Sequence, residues 1–255
     1  MSTADLLARV ESIALRAGRV VMDVYAGDFD TRRKGDASPV TVADERAEAL
    51  ITAELRKLTP GVPIVAEEAV SAGHVPQVSD RFWLVDPLDG TREFVQRNGE
   101  FTVNIALIEH GEPTLGVVLA PALDTLYAGA VGGPAYVRDG RGQRPLRCRP
   151  VPSDGLTVVA SASHGDPAAL DEYLRGHRVA ARKSMGSSLK LCLVAAGEAD
   201  LYPRLGRTME WDIAAGHGVL RAAGGCVTDL DGKPLRYGKA GFENPHFVAR
   251  GMPAA

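Results

Sequence analysis

The sequence predicts an α/β fold whose N-terminal half is of the α+β kind. Two segments with apolar residues at helical spacing open the chain, and apolar runs separated by turn residues fill the region 82–137. Beyond residue 154 short strand and helix patterns alternate, which is typical of an α/β layer with a smaller mixed sheet.

The first two predicted elements are helices. Apolar residues recur every three or four positions from Leu6 to Val24, which predicts a long amphipathic helix. A second helix is predicted over Val42–Leu58, with Pro60-Gly61 as its stop. Asp44 falls in the first turn of this helix, where the helix dipole favours an acid.

The middle of the chain reads as β-structure. A short strand at 64–66 precedes a polar loop, and the apolar runs 101–108, 116–119 and 125–129 are separated by Gly and Pro turn signals. This spacing predicts an antiparallel meander.

The last hundred residues predict alternating elements. The Arg-, Gly- and Pro-rich segment 138–154 is interpreted as a solvated turn region, and the chain is divided there into subdomains 1–145 and 146–255. The predicted strands are 157–161, 178–182, 199–203, 226–230 and 246–250, and the predicted helices are 168–175, 187–197 and 211–223.

Composition excludes several classes of protein. A chain of 255 residues with 45% apolar residues can bury a sizeable core, and a formal charge of −3 gives no general attraction to nucleic acid. No apolar run of membrane-spanning length is present and acids interrupt the N-terminus, so no signal peptide or integral membrane segment is expected and the cytoplasm is the default location. Peripheral membrane association, and the choice between monomer and homodimer, stay open.

The run Trp83–Thr91 carries the strongest chemical signal. An apolar segment ends in a predicted turn that contains Asp86 and Asp89. Their carboxylate oxygens are suitable ligands for the hard cations that assist phosphate ester hydrolysis. Gly90 and Thr91 would present backbone N–H groups to a phosphate. The alternative is that such acids only cap turns and helices. The predicted metal ligands are Glu67, Asp86, the Leu88 carbonyl, Asp89 and Asp212.

These motifs resemble a known family. Residues 86–91, with Glu67-Glu68 upstream and Trp211-Asp212 downstream, are similar to those of the inositol monophosphatase superfamily of magnesium-dependent, lithium-sensitive phosphatases. The segments 92–107 and 206–212 resemble its bacterial 3'(2'),5'-bisphosphate nucleotidase branch. The resemblance implies a layered αβαβα sandwich of the sugar-phosphatase type, with two Mg²⁺ ions per site and a third in some members.

The resemblance also implies roles for single residues. Thr91 and Asp44 would orient the attacking water and accept its proton. His164, Ser187 and Lys190 would contact the nucleotide, although turn formation at His164 and helix capping at Ser187 are alternatives. The implied substrate-binding set is Glu67, Leu88, Asp89, Gly90, Thr91, His164, Ser187, Lys190 and Asp212.

The expected function is therefore magnesium-dependent removal of the 3'-phosphate of adenosine 3',5'-bisphosphate, giving AMP and phosphate. The sulfated form, 3'-phosphoadenylyl sulfate, is a second expected substrate, which links the protein to sulfur assimilation. An inositol-monophosphate phosphatase shares this chemistry and is the first alternative. A catalytically silent regulator that binds phosphorylated ligands is the second, and the complete set of acidic motifs disfavours it.

Overall fold

The computed structural model describes residues 1–28, 31–33, 39–161 and 166–252. Its helices are α1 (Thr3–Tyr25), α2 (Val42–Leu58), α3 (Glu67–Ser71), α4 (Thr91–Val95), α5 (Pro167–Tyr173), α6 (Leu189–Ala195) and α7 (Glu210–Ala222). Its strands are β1 (Thr31–Arg33), β2 (Pro39–Thr41), β3 (Ile64–Ala66), β4 (Arg81–Asp89), β5 (Thr102–Glu109), β6 (Glu112–Ala120), β7 (Thr125–Ala130), β8 (Ala135–Asp139), β9 (Gly142–Pro145), β10 (Leu156–Ala160), β11 (Val179–Ser184), β12 (Leu201–Arg204), β13 (Cys226–Asp229) and β14 (Phe247–Arg250).

Two large sheets organise these strands. A seven-stranded sheet has the order β3-β4-β5-β6-β7-β8-β9, and every pairing in it is antiparallel except that of β3 with β4. A five-stranded mixed sheet has the order β11-β10-β12-β14-β13. The antiparallel meander and the smaller mixed sheet predicted from the sequence are therefore confirmed.

The larger sheet is buried on both faces. Trp83 and Val85 of β4 pack with α1 and α2, whereas Phe82 and Leu84 belong to a second core on the opposite face. Because neighbouring residues of a strand point to opposite faces, a strand covered on both sides must be apolar at nearly every position. This explains why the sequence around Trp83 is a continuous apolar run rather than an alternating one.

The helices complete a five-layer arrangement. The pair α1 and α2 covers one face of the larger sheet, and α6 and α7 share a core with its other face and with the smaller sheet. On the far face of the smaller sheet, Leu170 and Tyr173 of α5 pack against a small apolar cluster. The order helix, sheet, helix, sheet, helix is the predicted αβαβα sandwich.

One prediction about the connecting region is only partly confirmed, because residues 146–154 lie outside the helices and strands as expected but the residues before them do not. Residues of the supposed turn region up to 145 form the β8–β9 hairpin, in which Arg144 donates to Asp139 at 2.7 Å and 2.8 Å. Further along, Arg149 makes a bidentate pair with the buried Asp200, with both distances 2.9 Å. Arginine is as suited to fixed carboxylate pairs as to solvated turns, and composition cannot separate the two. The division into subdomains at residue 145 stays a prediction.

Within the described ranges, none of the helices combines the length and the apolar character that crossing a bilayer requires.

Candidate active site

Four acidic side chains gather where separate elements begin or end. Asp86 and Asp89 lie at the end of β4, Glu67 is the first residue of α3, and Asp212 lies in the first turn of α7. Strand β3 runs parallel to β4, which brings the start of α3 beside the end of β4. Ser188 connects Asp212 to Asp89, because its N–H donates to the Asp89 carboxylate at 2.7 Å and its hydroxyl donates to the Asp212 backbone carbonyl at 2.6 Å.

Burial and mutual repulsion disfavour the ionised forms of these acids. Burial, and then the nearby Glu67, Asp89 and Asp212 carboxyl groups, raise the pKa of Asp86 well above its usual value. Burial also raises the pKa of Asp89 to about 6, against the lowering effect of Lys190 and of the Ser188 N–H. The pKa of Asp212 is raised in the same way, by burial and then by Asp89 and Glu67.

A group of buried and half-buried, mutually repelling carboxylates fits hard divalent cations, because such ions supply positive charge that offsets the repulsion. In the described part of the chain, no three carboxylate, imidazole or thiol groups converge closely enough to hold one ion by themselves. Each ion would therefore also use the Leu88 carbonyl or water, and Mg²⁺ commonly keeps several waters in proteins.

Thr91 connects this acidic group to Asp44. Its hydroxyl lies 3.2 Å from Asp44 Oδ1 and 3.2 Å from the Leu88 carbonyl, and it can donate to only one of them at a time. The other oxygen of Asp44 accepts the N–H and the hydroxyl of Thr41, each at 2.8 Å, in a capping box at the start of α2. Asp44 is thus fixed as an acceptor beside Thr91 although it lies 47 residues away.

The predicted residues surround one cavity of about 450 Å³. Thr91 lies on its wall and donates to Asp44, which lies behind it. Gly90 has φ +88° at the turn after β4, and a Cβ there would lie 3.2 Å from the Glu100 carbonyl, so only glycine fits without strain. The other predicted residues on the cavity wall are Glu67, Asp86, Leu88, Asp89, Ser187, Lys190 and Asp212.

The loop before α6 differs from its prediction. The sequence pattern places Ser187 at a helix start, but α6 begins at Leu189 and Ser188 caps it without a side-chain hydrogen bond. Ser187 instead has φ +45°, and its buried hydroxyl has no hydrogen-bond partner in the described structure. Burial lowers the pKa of Lys190 to about 8, and its ammonium donates to the Ser187 carbonyl at 2.6 Å and to the Met185 carbonyl at 3.2 Å.

The remaining predicted residue, His164, lies outside the described residues.

The structure adds three cations to the cavity wall that the sequence reasoning did not single out, Arg92, Arg204 and Arg207. Arg204 ends strand β12 and its guanidinium donates to the Arg207 carbonyl at 3.0 Å. Arg204 lies at the end of a strand and close in sequence to the motif that contains Asp212, and this position could have marked it as a site residue.

The chain is similar to known proteins over almost its whole length. The inositol monophosphatase family matches residues 4–250. The chain belongs to this family. Phosphatases of this family generally depend on a metal ion.

Among the family's curated members, the 3'(2'),5'-bisphosphate nucleotidase CysQ of Escherichia coli K12 is 49% identical over 245 residues, which cover 95% of this chain and 98% of that protein. The protein of the same name from Haemophilus influenzae is 32% identical and covers 96% of this chain and 93% of its own length. The crystal structure of CysQ from Bacteroides thetaiotaomicron has a TM-score of 0.81 and 37% identity, with 97% of both chains covered. An inositol monophosphatase from Anabaena sp. PCC 7120 reaches a TM-score of 0.77 at 28% identity, with 97% of this chain and 90% of that chain covered.

Proposed function

We propose that this family member is a 3'(2'),5'-bisphosphate nucleotidase, a phosphatase that removes the 3'-phosphate of adenosine 3',5'-bisphosphate to give AMP and phosphate. The observation that carries the proposal is the 49% identity to a nucleotidase over 95% of the chain. The sulfated nucleotide, 3'-phosphoadenylyl sulfate, carries the same 3'-phosphate and is a second proposed substrate.

Glu67, Asp86, Asp89, Asp212 and the Leu88 carbonyl would hold two Mg²⁺ ions, and a third ion near Asp44 is compatible with its charge. When bound, such ions neutralise charge on the phosphoryl oxygens and lower the pKa of water so that it becomes a nucleophile. Burial of Asp86 and the mutual repulsion among the four acids support this assignment.

Thr91 and Asp44 would orient the attacking water. When the Thr91 hydroxyl donates to Asp44, its oxygen lone pairs can accept a hydrogen bond from water in the cavity. As the water loses a proton to Thr91 Oγ1, the hydroxyl proton of Thr91 moves to Asp44 Oδ1. A buried carboxylate is the acceptor that this relay needs, because a threonine hydroxyl alone is too weak a base at neutral pH.

The non-reacting phosphate needs cations on the cavity wall. Lys190, Arg204 and Arg207 line the same cavity and supply positive charge on its wall. Lys190 is buried and already donates to two carbonyls, so its remaining N–H would serve the ligand while the arginines meet the more exposed oxygens. Ser187 and His164 complete the proposed nucleotide contacts.

The first alternative, an inositol-monophosphate phosphatase, is favoured by the shared fold of the Anabaena protein at 28% identity. The two functions can be distinguished by measuring kcat/KM for adenosine 3',5'-bisphosphate and for inositol 1-phosphate, each with Mg²⁺ and with EDTA. The proposal expects a clear preference for the nucleotide and loss of turnover in EDTA. Preference for inositol 1-phosphate would overturn it, and phosphate release from neither substrate would favour the silent regulator.

A further inference from the structure

The segment Arg97–Glu100, which resembles the nucleotidase branch, forms a bridge between two parts of the molecule. Arg97 donates to the carbonyl of Tyr25, the last residue of α1, at 2.6 Å and to that of Gly27 just beyond the helix at 2.7 Å. A turn follows, in which the Asn98 side chain accepts the Glu100 N–H at 2.9 Å. The turn fixes the direction in which the Glu100 side chain leaves the backbone.

The carboxylate of Glu100 reaches the loop that precedes α6. It accepts the N–H of Gly186 at 2.7 Å across 86 residues of sequence. The approach is close, because a Cβ on Gly186 would lie 2.7 Å from the Glu100 carbonyl and 2.9 Å from the Glu100 Cβ. The close approach therefore requires glycine at position 186, and the carboxylate at position 100 accepts the N–H of that glycine.

Charged side chains hold the backbone of this loop from two sides. Glu100 and Asp89 accept the N–H groups of Gly186 and Ser188, each at 2.7 Å, while Lys190 donates to the carbonyls of Met185 and Ser187. Ser187 stands between these anchors with φ +45°, a strained conformation for a residue with a side chain. Such strain persists only where neighbouring contacts over-determine the backbone.

We infer that Glu100 is a positioning residue for substrate, which holds the Met185–Ser188 loop so that Ser187 stays on the cavity wall. The inference rests on the proposed function in taking a nucleotide as the ligand of that wall. Ser187 lies on the cavity wall, and its buried hydroxyl oxygen has no hydrogen-bond partner in the described structure, so the loop keeps an unsatisfied polar group at that wall. Glu100 itself does not appear on that wall, so its effect passes through the loop.

Replacing Glu100 by Ala tests the inference in two independent ways. The loop should exchange its amide hydrogens faster, measured by hydrogen–deuterium exchange on a peptide that covers residues 184–190. KM for adenosine 3',5'-bisphosphate should rise roughly tenfold, the lower end for losing a charge-assisted hydrogen bond, with kcat little changed because Asp86 and Thr91 are untouched. Glu100→Gln keeps an acceptor oxygen and should restore both measurements most of the way.

Glu109→Ala is the matched control, since Glu109 is a half-buried carboxylate at the far end of β5 that pairs with Arg81 and Thr114. It should change neither measurement. Unchanged exchange in Glu100→Ala, faster exchange without a change of KM, or no rescue by Gln would overturn the inference. If the wild-type protein prefers inositol 1-phosphate, the proposed function fails, and the exchange data with KM for that substrate still decide the role of Glu100.

Discussion

Asp44 shows how one carboxylate serves structure and chemistry together. Its Oδ2 accepts both donors of Thr41 and closes the start of α2, while its Oδ1 accepts the Thr91 hydroxyl. The structural role at the start of α2 and the proposed role as a proton acceptor therefore do not compete, because each uses a different oxygen. Mutations can separate them because the Thr41 hydroxyl donates to Oδ2, whereas Thr91 donates to Oδ1, and the Thr41 N–H still holds Oδ2 when the hydroxyl is removed.

We expect Asp44→Asn to lower kcat by roughly 10²–10⁴-fold, the usual contribution of a proton acceptor. Thr41→Ala removes the cap and should cost about 0.5–2 kcal/mol of stability with kcat close to that of the wild type. Steady-state kinetics and urea unfolding of both variants measure this contrast. Equal loss of kcat in the two variants would mean that Asp44 acts only through the helix.

His217 predicts an acid-sensitive stability. It is buried in α7, with Nδ1 2.8 Å from the Tyr237 hydroxyl, and burial lowers its pKa to about 3. The unfolded chain has the ordinary value of 6.5, so it binds a proton that the folded protein excludes, and stability falls as the pH drops below 6.5.

This loss should reach about 2 kcal/mol between pH 6.5 and pH 5, at about 1.4 kcal/mol per pH unit. His217→Asn removes the titrating group and should flatten the slope over this range, even if it is less stable at pH 7. Urea unfolding at several pH values measures it. A parallel slope in wild type and variant would show that other groups govern the acid limit.

At the scale of elements, α7 is seated unusually close to the larger sheet. A Cβ at Gly116 of β6 would lie 2.1 Å from the Ala215 carbonyl, and one at Gly129 of β7 would lie 2.9 Å from the Ala222 Cβ. The helix backbone thus rests directly on the strands. Since Asp212 lies in the first turn of α7, the depth of this contact also sets where its carboxylate lies.

Gly116→Ala should therefore destabilise the protein by about 1–3 kcal/mol through overpacking and should also lower kcat by displacing α7. Gly140→Ala is the control, because Gly140 is exposed and a Cβ there would meet nothing within 4 Å. Thermal unfolding and kinetics of both variants provide the test. A neutral Gly116→Ala would contradict the close packing.

At the scale of the whole molecule, the proposed metal site joins the core layers. Asp86 and Asp89 come from the larger sheet and Asp212 from the helix layer beneath it, and without a cation they repel one another. The pKa of Asp212 is higher in the folded chain than in the unfolded one, so its charge costs stability at every pH above the unfolded value.

Asp212→Asn should then stabilise the protein in EDTA at pH 7, because the variant has no charge to bury there. Mg²⁺ at about 100 times its Kd should stabilise the wild type by about 2.7 kcal/mol and the variant far less. Thermal unfolding with and without Mg²⁺ measures both effects. An equal response of the two proteins to Mg²⁺ would remove Asp212 from the proposed ligand set.

The sequence by itself determined the fold class and the elements that carry the acids, because apolar periodicity and turn residues are local signals. It also pointed to the family, through the resemblance of the motifs at 67–68, 86–91 and 211–212 to those of known members. Helix α2 begins and ends at the predicted residues, Val42 and Leu58, where a Thr cap and a Pro-Gly stop are both written in the chain. Only the tertiary structure decided the strained backbone of Ser187, the anchoring of Gly186 by Glu100 and the arginines of the cavity wall. These features depend on contacts between residues far apart in sequence, and the free energy of such contacts has no signature in the spacing of residues along the chain.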